Sequence, residues 1–297
     1  MGMWTRKYSP GYVPGCRSSG GSIIPPITSE LRGGEMECQL GFFNRPWNEW
    51  SFERALEGIA GSGAKYVGLM RQEGRFLLTA DSTEQEVEEL SGTIAKYGLK
   101  FLVSLQAVEL DLPLQEAVTR LKRTIDNIAR MGGKYFLTTG CMDPEKYDRY
   151  FEVISACTDY AAEKGIMIVL KPHGGLSATS KECRETVERV GSENFRIWYD
   201  PGNVLWYTGT RPEEDVKGIA EYVTGVCVKD CRTGEDRTVM ITPGEGEVDF
   251  TEVFRILRDA GFSGPCIVET LGGGTPEEVD AEAKKAVAFL EEILSAL

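Results

Sequence analysis

A closed barrel of eight β-strands, each followed by an α-helix, is the fold this sequence predicts. Three observations predict it: eight short β-rich runs, amphipathic helical patterns between them, and a fitting length. Eight βα units of about 30 residues use roughly 250 positions, and the chain has 297. An open doubly wound sheet is the alternative that the same alternation admits.

Residues 1–35 carry Gly, Pro and Ser without periodicity, and the character changes at Met36. This segment reads as an N-terminal tail and residues 36–297 as the barrel domain. The expected strands are 38–43, 65–70, 100–106, 134–139, 166–172, 195–200, 223–230 and 266–270, each short, apolar and rich in β-branched or aromatic residues. Between them stand segments such as SFERALEGIAGSG, STEQEVEELSGTIAKYG, LQEAVTRLKRTIDNIARMGG and YFEVISACTDYAAEKG. Their apolar residues recur at i, i+3 and i+4, and glycine closes each one. The last, TPEEVDAEAKKAVAFLEEILSAL, opens with an acidic turn, as a helix N-terminus favours.

Composition narrows the function classes. The chain is 41% hydrophobic and 27% charged, and no apolar run approaches the roughly 20 residues that cross a bilayer. The N-terminus lacks the continuous apolar stretch of a secretory signal, and Arg6 stands where a myristoylation motif needs Ser or Thr. The eight cysteines show no paired spacing, so a reduced, cytoplasmic protein is expected. A net charge of −13 without a basic cluster argues against nucleic acid and anionic membranes. No strand is followed by GxGxxG, which argues against a nucleotide cofactor. A small molecule is the expected partner, and a homo-oligomer is an open option.

A barrel of this kind forms its site at the C-terminal rim, so polar residues ending apolar strands are the candidates. Strand five ends in Lys171-Pro172-His173-Gly174-Gly175, and a two-residue period puts Lys171 and the chain's one histidine on the same side. Their plain reading is a salt bridge and a turn cap. Asp200 leaves strand six into Pro201-Gly202-Asn203, either organising that turn or offering a carboxylate to a divalent cation. Strand seven carries Cys227, Lys229 and Cys231 in alternation. The cysteines read as core packing, whereas Lys229 and Arg232 suit an anionic or hydroxyl-rich ligand. Glu269 ends a fully apolar strand, where a carboxylate needs a cation or a donor.

The segments IVLKPHGG, IWYDPGN, GVCVKD, PGEGEVDF (243–250) and CIVET occur in this order. In sequence and spacing they resemble the xylose-isomerase-like barrel superfamily, which includes sugar and sugar-phosphate isomerases, ketose 3-epimerases and inosose dehydratases. The resemblance covers nearly everything after Met36. It implies one divalent ion, such as manganese, cobalt or magnesium, held by glutamate, aspartate, histidine and glutamate from strands five to eight. Asp200 and Glu269 match two of those positions, while Lys171 and Cys227 occupy the other two. An ammonium in place of a carboxylate changes the local charge by two units. Two arrangements follow. Lys171 replaces the cation, or His173, Asp200 and Glu269 hold a divalent metal (Mn, Co, Mg or Zn) with water. Where the superfamily has a histidine beyond the strand-six aspartate this chain has Asn203, and Arg232 takes the place of the basic residue after strand seven. Both are expected to contact substrate.

The leading expectation is an isomerase or epimerase that abstracts a proton next to the carbonyl of a sugar or cyclitol. Glu269 is its base and Lys171 or a metal its oxyanion holder, while His173, Asn203, Lys229 and Arg232 bind substrate. A lyase or dehydratase acting on keto-sugars or keto-glycosides is the first alternative. A carbohydrate-binding barrel without catalysis is the second. A DNA-repair endonuclease on this fold is disfavoured, because one histidine cannot build a multi-zinc cluster. The aromatic group Phe42, Phe43, Trp47 and Trp50 is expected to pack or meet a subunit rather than stack on sugar, and Glu109 is expected to be a solvated rim carboxylate.

Overall fold

In the computed structural model, which describes residues 38–297, the eight expected strands close into one parallel barrel. They are β1 (Cys38–Phe43), β2 (Tyr66–Leu69), β3 (Lys100–Leu105), β4 (Tyr135–Thr138), β5 (Met167–Leu170), β6 (Phe195–Tyr199), β7 (Val223–Val228) and β8 (Gly264–Val268). Each pairs with its sequence neighbours, and β1 closes the ring against β8 with Leu40 opposite Cys266. The open-sheet alternative is thereby excluded. Strand limits move by at most two residues from expectation, most at β8, which begins at Gly264. The tail expected at 1–35 lies outside the described residues.

The helices are α1 (Phe52–Gly61), α2 (Glu84–Lys96), α3 (Leu114–Arg130), α4 (Tyr147–Glu163), α5 (Ser180–Val190), α6 (Pro201–Thr208), α7 (Pro212–Asp215), α8 (Phe250–Asp259) and α9 (Pro276–Ser295). Their starts follow local chemistry. Thr83 with Glu86 and Thr275 with Glu278 form reciprocal capping boxes, satisfying amides that the first turn leaves unpaired. Asp200 caps α6 by accepting from the Asn203 backbone N–H at 2.8 Å, and Pro201 fills the first helical position. Among the described helices none is long and apolar enough to cross a membrane.

Alternation along each strand sorts two cores. Inward residues, among them Phe43, Val103, Leu137, Val169, Trp198 and Ile267, fill the barrel. Their neighbours, including Phe42, Phe136, Ile168, Ile197 and Val268, pack outward against the helices. Two glycines make room for the largest inward rings. A Cβ on Gly68 would stand 2.6 Å from Phe43, and one on Gly225 would fall within the Trp198 ring. The aromatic residues after β1 also pack: Phe42, Phe43 and Trp47 are fully buried, with Phe42 and Trp47 edge to face at 5.9 Å.

One connection is not legible from the periodicity. After β2 the chain makes a small hairpin, Arg71–Gln72 against Arg75–Phe76, turning through Glu73 and Gly74 at positive φ. Its buried Gln72 side chain accepts from Asn44 Nδ2 at 2.7 Å and donates to the Trp47 carbonyl at 3.0 Å. The hairpin thus fixes the turn after β1.

Because Gly225 faces a ring with no room to shift, Gly225→Ala is expected to lower unfolding free energy by about 1–3 kcal/mol. Gly92→Ala, in the exposed face of α2 with nothing within 4 Å of the new methyl, is expected to raise it by about 0.5–1 kcal/mol. Urea denaturation reads both, and equal shifts in one direction would contradict the packing described.

Candidate active site

The two-residue period that builds the inner core also builds the site. Two positions beyond Phe43, Leu137, Val169, Trp198, Cys227 and Ile267 stand Arg45, Thr139, Lys171, Asp200, Lys229 and Glu269. They form the next layer up, at the C-terminal mouth. Here a cavity of about 150 Å³ opens, with Arg45, Lys171, Lys229 and Glu269 among its lining residues and His173, Trp206 and Tyr207 on its wall. A cavity of that size admits a six-membered ring, as an apolar one of about 150 Å³ admits benzene.

Glu269 is the hub. It is 1% exposed. Its Oε1 accepts from Arg45 and, at 3.1 Å, from Lys229 Nζ, while Oε2 accepts from Lys171 Nζ and from the Cys227 thiol at 3.0 Å. Burial alone would push this carboxyl up, but Lys171, Lys229 and Arg45 together hold it well below the usual carboxylate range. Lys171 shows the converse. Its burial disfavours charge, yet Asp200 and Glu269 raise its affinity for the proton above that of a free lysine. The ammonium lies 2.8 Å from Asp200 Oδ2, off the angle of a proper hydrogen bond, so this contact is chiefly one of charge. The Cys227 thiol is pushed well up by burial and then by Asp200 and Glu269, so it stays protonated and donates.

The expected residues divide into those that face the cavity and those that support it. Lys171, His173, Lys229 and Glu269 line it. Asn203 does not, because its amide is consumed: Nδ2 donates to the Pro172 carbonyl and Oδ1 accepts from Lys229 Nζ, at 2.8 and 2.9 Å. Arg232 is exposed and spends its guanidinium on the Glu245 carbonyl at 2.9 and 3.1 Å, outside the cavity lining. Glu109 pairs with Arg120 at 2.6 Å on the surface. Seven lining residues escaped the sequence reading, among them Arg45, which folds back from the β1 turn, and Trp206 and Tyr207, whose place in the last turn of α6 aims them at the mouth. The pattern Trp-Tyr shortly after Asp-Pro-Gly-Asn was the available signal for the last two.

The motif pair Lys229-Asp230 and PGEGEVDF acquires a structural reason. Asp230 is fully buried and, among the described residues, has no cation partner; its carboxylate accepts from the backbone N–H groups of Cys231, Gly244, Gly246 and Val248 at 2.8–3.1 Å. The last three donors tie residues 243–248 to the end of β7.

A family model described as a xylose isomerase-like TIM barrel matches residues 56–293. The chain belongs to that family. Among curated relatives, an inosose dehydratase of Clostridium botulinum is 27% identical over 125 residues, 37% of this chain and 42% of the relative. An L-ribulose-5-phosphate 3-epimerase of Escherichia coli is 34% identical over 92 residues, 31% of each. The chain thus spans half or less of the length of these relatives. Solved structures agree on the fold. An L-ribulose 3-epimerase superposes with a TM-score of 0.70 at 17% identity, covering 87% of this chain and 95% of that one. A probable 3-DHS dehydratase from Bacillus anthracis gives 0.66 at 14%, covering 85% and 99%.

Among the described residues, Asp200, Cys227 and Glu269 form a group whose donor atoms lie within 4.8 Å of one another, the arrangement a metal ion needs. This is not the expected trio, since Cys227 takes the place of His173. The His173 ring is engaged elsewhere, with Nε2 3.2 Å from the Tyr207 hydroxyl. Nor is the group free to receive an ion. Lys171 Nζ contacts all three donors, touching Glu269, lying 2.8 Å from Asp200 and 3.8 Å from Cys227 Sγ. A dication there would meet a buried ammonium and a protonated thiol. These residues do not fit a divalent metal.

Burial, followed by the charge of Lys171, lowers the pKa of His173 to about 4 from 6.5. The imidazole is therefore neutral at physiological pH, and as the one histidine in the chain its ring proton gives one NMR signal. That signal is expected to titrate near pH 4, and titration near 6.5 would contradict the wall geometry. Between those values the unfolded chain takes up a proton that the folded one refuses. Stability is accordingly expected to fall as pH drops through this window.

Proposed function

We propose that this protein abstracts a proton next to the carbonyl of a small sugar or cyclitol, with Lys171 as the built-in cation. The observation that carries this reading is the cavity itself: one carboxylate, Glu269, at the C-terminal mouth of a barrel, held between the ammonium groups of Lys171 and Lys229. A carbonyl oxygen received by Lys229 and Lys171 gains negative charge as the neighbouring C–H bond breaks, and fixed cations in a dry site stabilise that charge. The proton passes to Glu269 Oε1, the oxygen shared with Arg45 and Lys229. Its return to carbon completes isomerisation. For epimerisation the Tyr207 hydroxyl, 3.2 Å from the neutral His173 ring, gives a proton to the opposite face of the carbon, and Glu269 then passes the proton it took through solvent to the tyrosinate.

Elimination is the second reading, favoured by the similarity to inosose dehydratases. It needs the same first step. The carbanion then expels a β-hydroxyl, which leaves as water with the proton that Glu269 took. Asn203 and Asp200 support both routes by position: Asn203 steers Lys229, and Asp200 anchors Lys171. A small-molecule carbohydrate is the substrate in either case.

Carbon-bound hydrogen exchange into D2O, followed by proton NMR on ketoses and keto-cyclitols including an inosose, tests the reading. Exchange is expected with the native chain and a loss of about 10²–10⁴-fold in Glu269→Gln. Full exchange in that variant would remove Glu269 as base, and no exchange with any compound would leave a binding protein. The cation assignment has its own readout. The native chain is expected to hold far less than one equivalent of manganese, cobalt or zinc after supplementation, whereas Lys171→Glu restores a carboxylate and gains one. Stoichiometric metal in the native chain would overturn the lysine assignment.

A further inference from the structure

The cavity carries more positive charge than its carboxylates neutralise. Arg45, Lys171 and Lys229 converge on Glu269, and Asp200 beneath them is the second carboxylate of the cluster. That is three cations against two anions. Cys227 and His173 are neutral, and Asp230 is turned toward four backbone amides of its own loop. The remaining lining is largely apolar, with Met70, Leu105 and Val239. A surplus charge facing a small cavity attracts an anion.

The three cations are not equivalent. The side chains of Lys171 and Lys229 are 2% and 6% exposed and each has two oxygen partners, so both are locked. Arg45 is 28% exposed at its side chain and, among the described residues, donates only through Nη1 to Glu269. Its second prong, Nη2, is uncommitted at the mouth. The root of this residue is nevertheless stiff. Asn44 accepts from the Met70 N–H at 2.7 Å and donates to Gln72 at 2.7 Å, while the buried Trp47 donates to Asp280 at 2.9 Å. A fixed root with a half-free planar fork is suited to a two-oxygen anion.

We infer that Arg45 receives an anionic group of the substrate, a carboxylate or a phosphate, and leaves Glu269 Oε1 in doing so. Arg45 donates to the very oxygen of Glu269 that would take the proton. An anionic substrate draws the guanidinium away, and a neutral one does not. Arg45 is thus a specificity residue that ties the uncovering of the base to the charge of the ligand. The inference rests on the reading that this cavity holds the substrate.

The test compares three six-carbon ketoses at low ionic strength: D-fructose, 5-keto-D-gluconate and D-fructose 6-phosphate, with inorganic phosphate as the headgroup alone. Isothermal titration calorimetry on the full chain is run for the native protein, Arg45→Gln and Arg45→Lys. One charged ketose is expected to bind at least tenfold more tightly than D-fructose. That advantage should vanish in Arg45→Gln and return in part in Arg45→Lys, which also shows that the fold tolerates substitution here. Whether the keto acid or the phosphate ester gains identifies the source of the anion, and inorganic phosphate binding that depends on Arg45 supports the ester. Equal binding of D-fructose, a charge advantage that survives in Arg45→Gln, or no binding at all overturns the inference. Hydrogen exchange on the same samples separates the two readings. Exchange of a neutral ketose that binds as well as the acids leaves the proton-transfer reading intact and removes this one, and Arg45-dependent binding without exchange does the reverse.

Discussion

An ammonium group held between two carboxylates inside a barrel mouth is the constraint around which the rest of this site is arranged. Lys171 is buried with Asp200 and Glu269, and removing it would leave Asp200 without its cation in a low-dielectric interior, where breaking a buried pair costs about 3–5 kcal/mol. Further partners stabilise such a cluster, and the surroundings supply most of them: the α6 amide for Asp200 Oδ1, the Cys227 thiol and two more cations for Glu269, and Asn203 for Lys229. Asp200 Oδ2 has, among the described residues, only the charge of Lys171 beside it. The Asp-Pro-Gly-Asn turn is part of the same solution. Gly202 lets the first turn of α6 lie against the Lys229 carbonyl, since a Cβ there would fall onto its oxygen.

The barrel was legible because each strand is short, apolar and bounded, and because the period of two is strict enough to assign faces. That same period explains why Lys171, Lys229 and Glu269 were found from their strand ends alone: each stands two residues beyond an inward core side chain. Asp200 was legible as turn organiser, but the cation beside it is the Lys171 ammonium and not the divalent ion that a carboxylate at a strand end suggests. Arg45 was not, because its importance comes from a contact with a residue 224 positions away, and nothing in Asn-Arg-Pro-Trp announces that fold-back. Arg232 shows the opposite failure. Its residue type suits a ligand, but the return of the chain at Glu245 puts a backbone carbonyl within its reach first.

The family's metal quartet and the cluster seen here solve one problem in two ways. Both place positive charge beside the carboxylates of strands six and eight. A dication gathers its ligands around open coordination positions, whereas the Lys171 ammonium arrives on its own four-carbon stem and needs no histidine on β7. The buried thiol of Cys227 accords with that. It is small, apolar in character and able to donate one weak hydrogen bond to Glu269.

The tie between Asp230 and the loop at 243–248 carries a different consequence. Because the carboxylate grips main-chain N–H groups, it reads the path of the loop and not its side chains. Only Glu245 and Glu247, the exposed side chains of this stretch, are therefore free to drift in sequence while this part of the rim keeps its shape. Pro243 and Val248 are buried, a Cβ on Gly246 would strike the carboxylate, and Gly244 has φ near +95°. The path of this loop is thus set by a single residue outside it, Asp230, which leaves the two outward glutamates open to change without moving the end of β7 that carries Lys229.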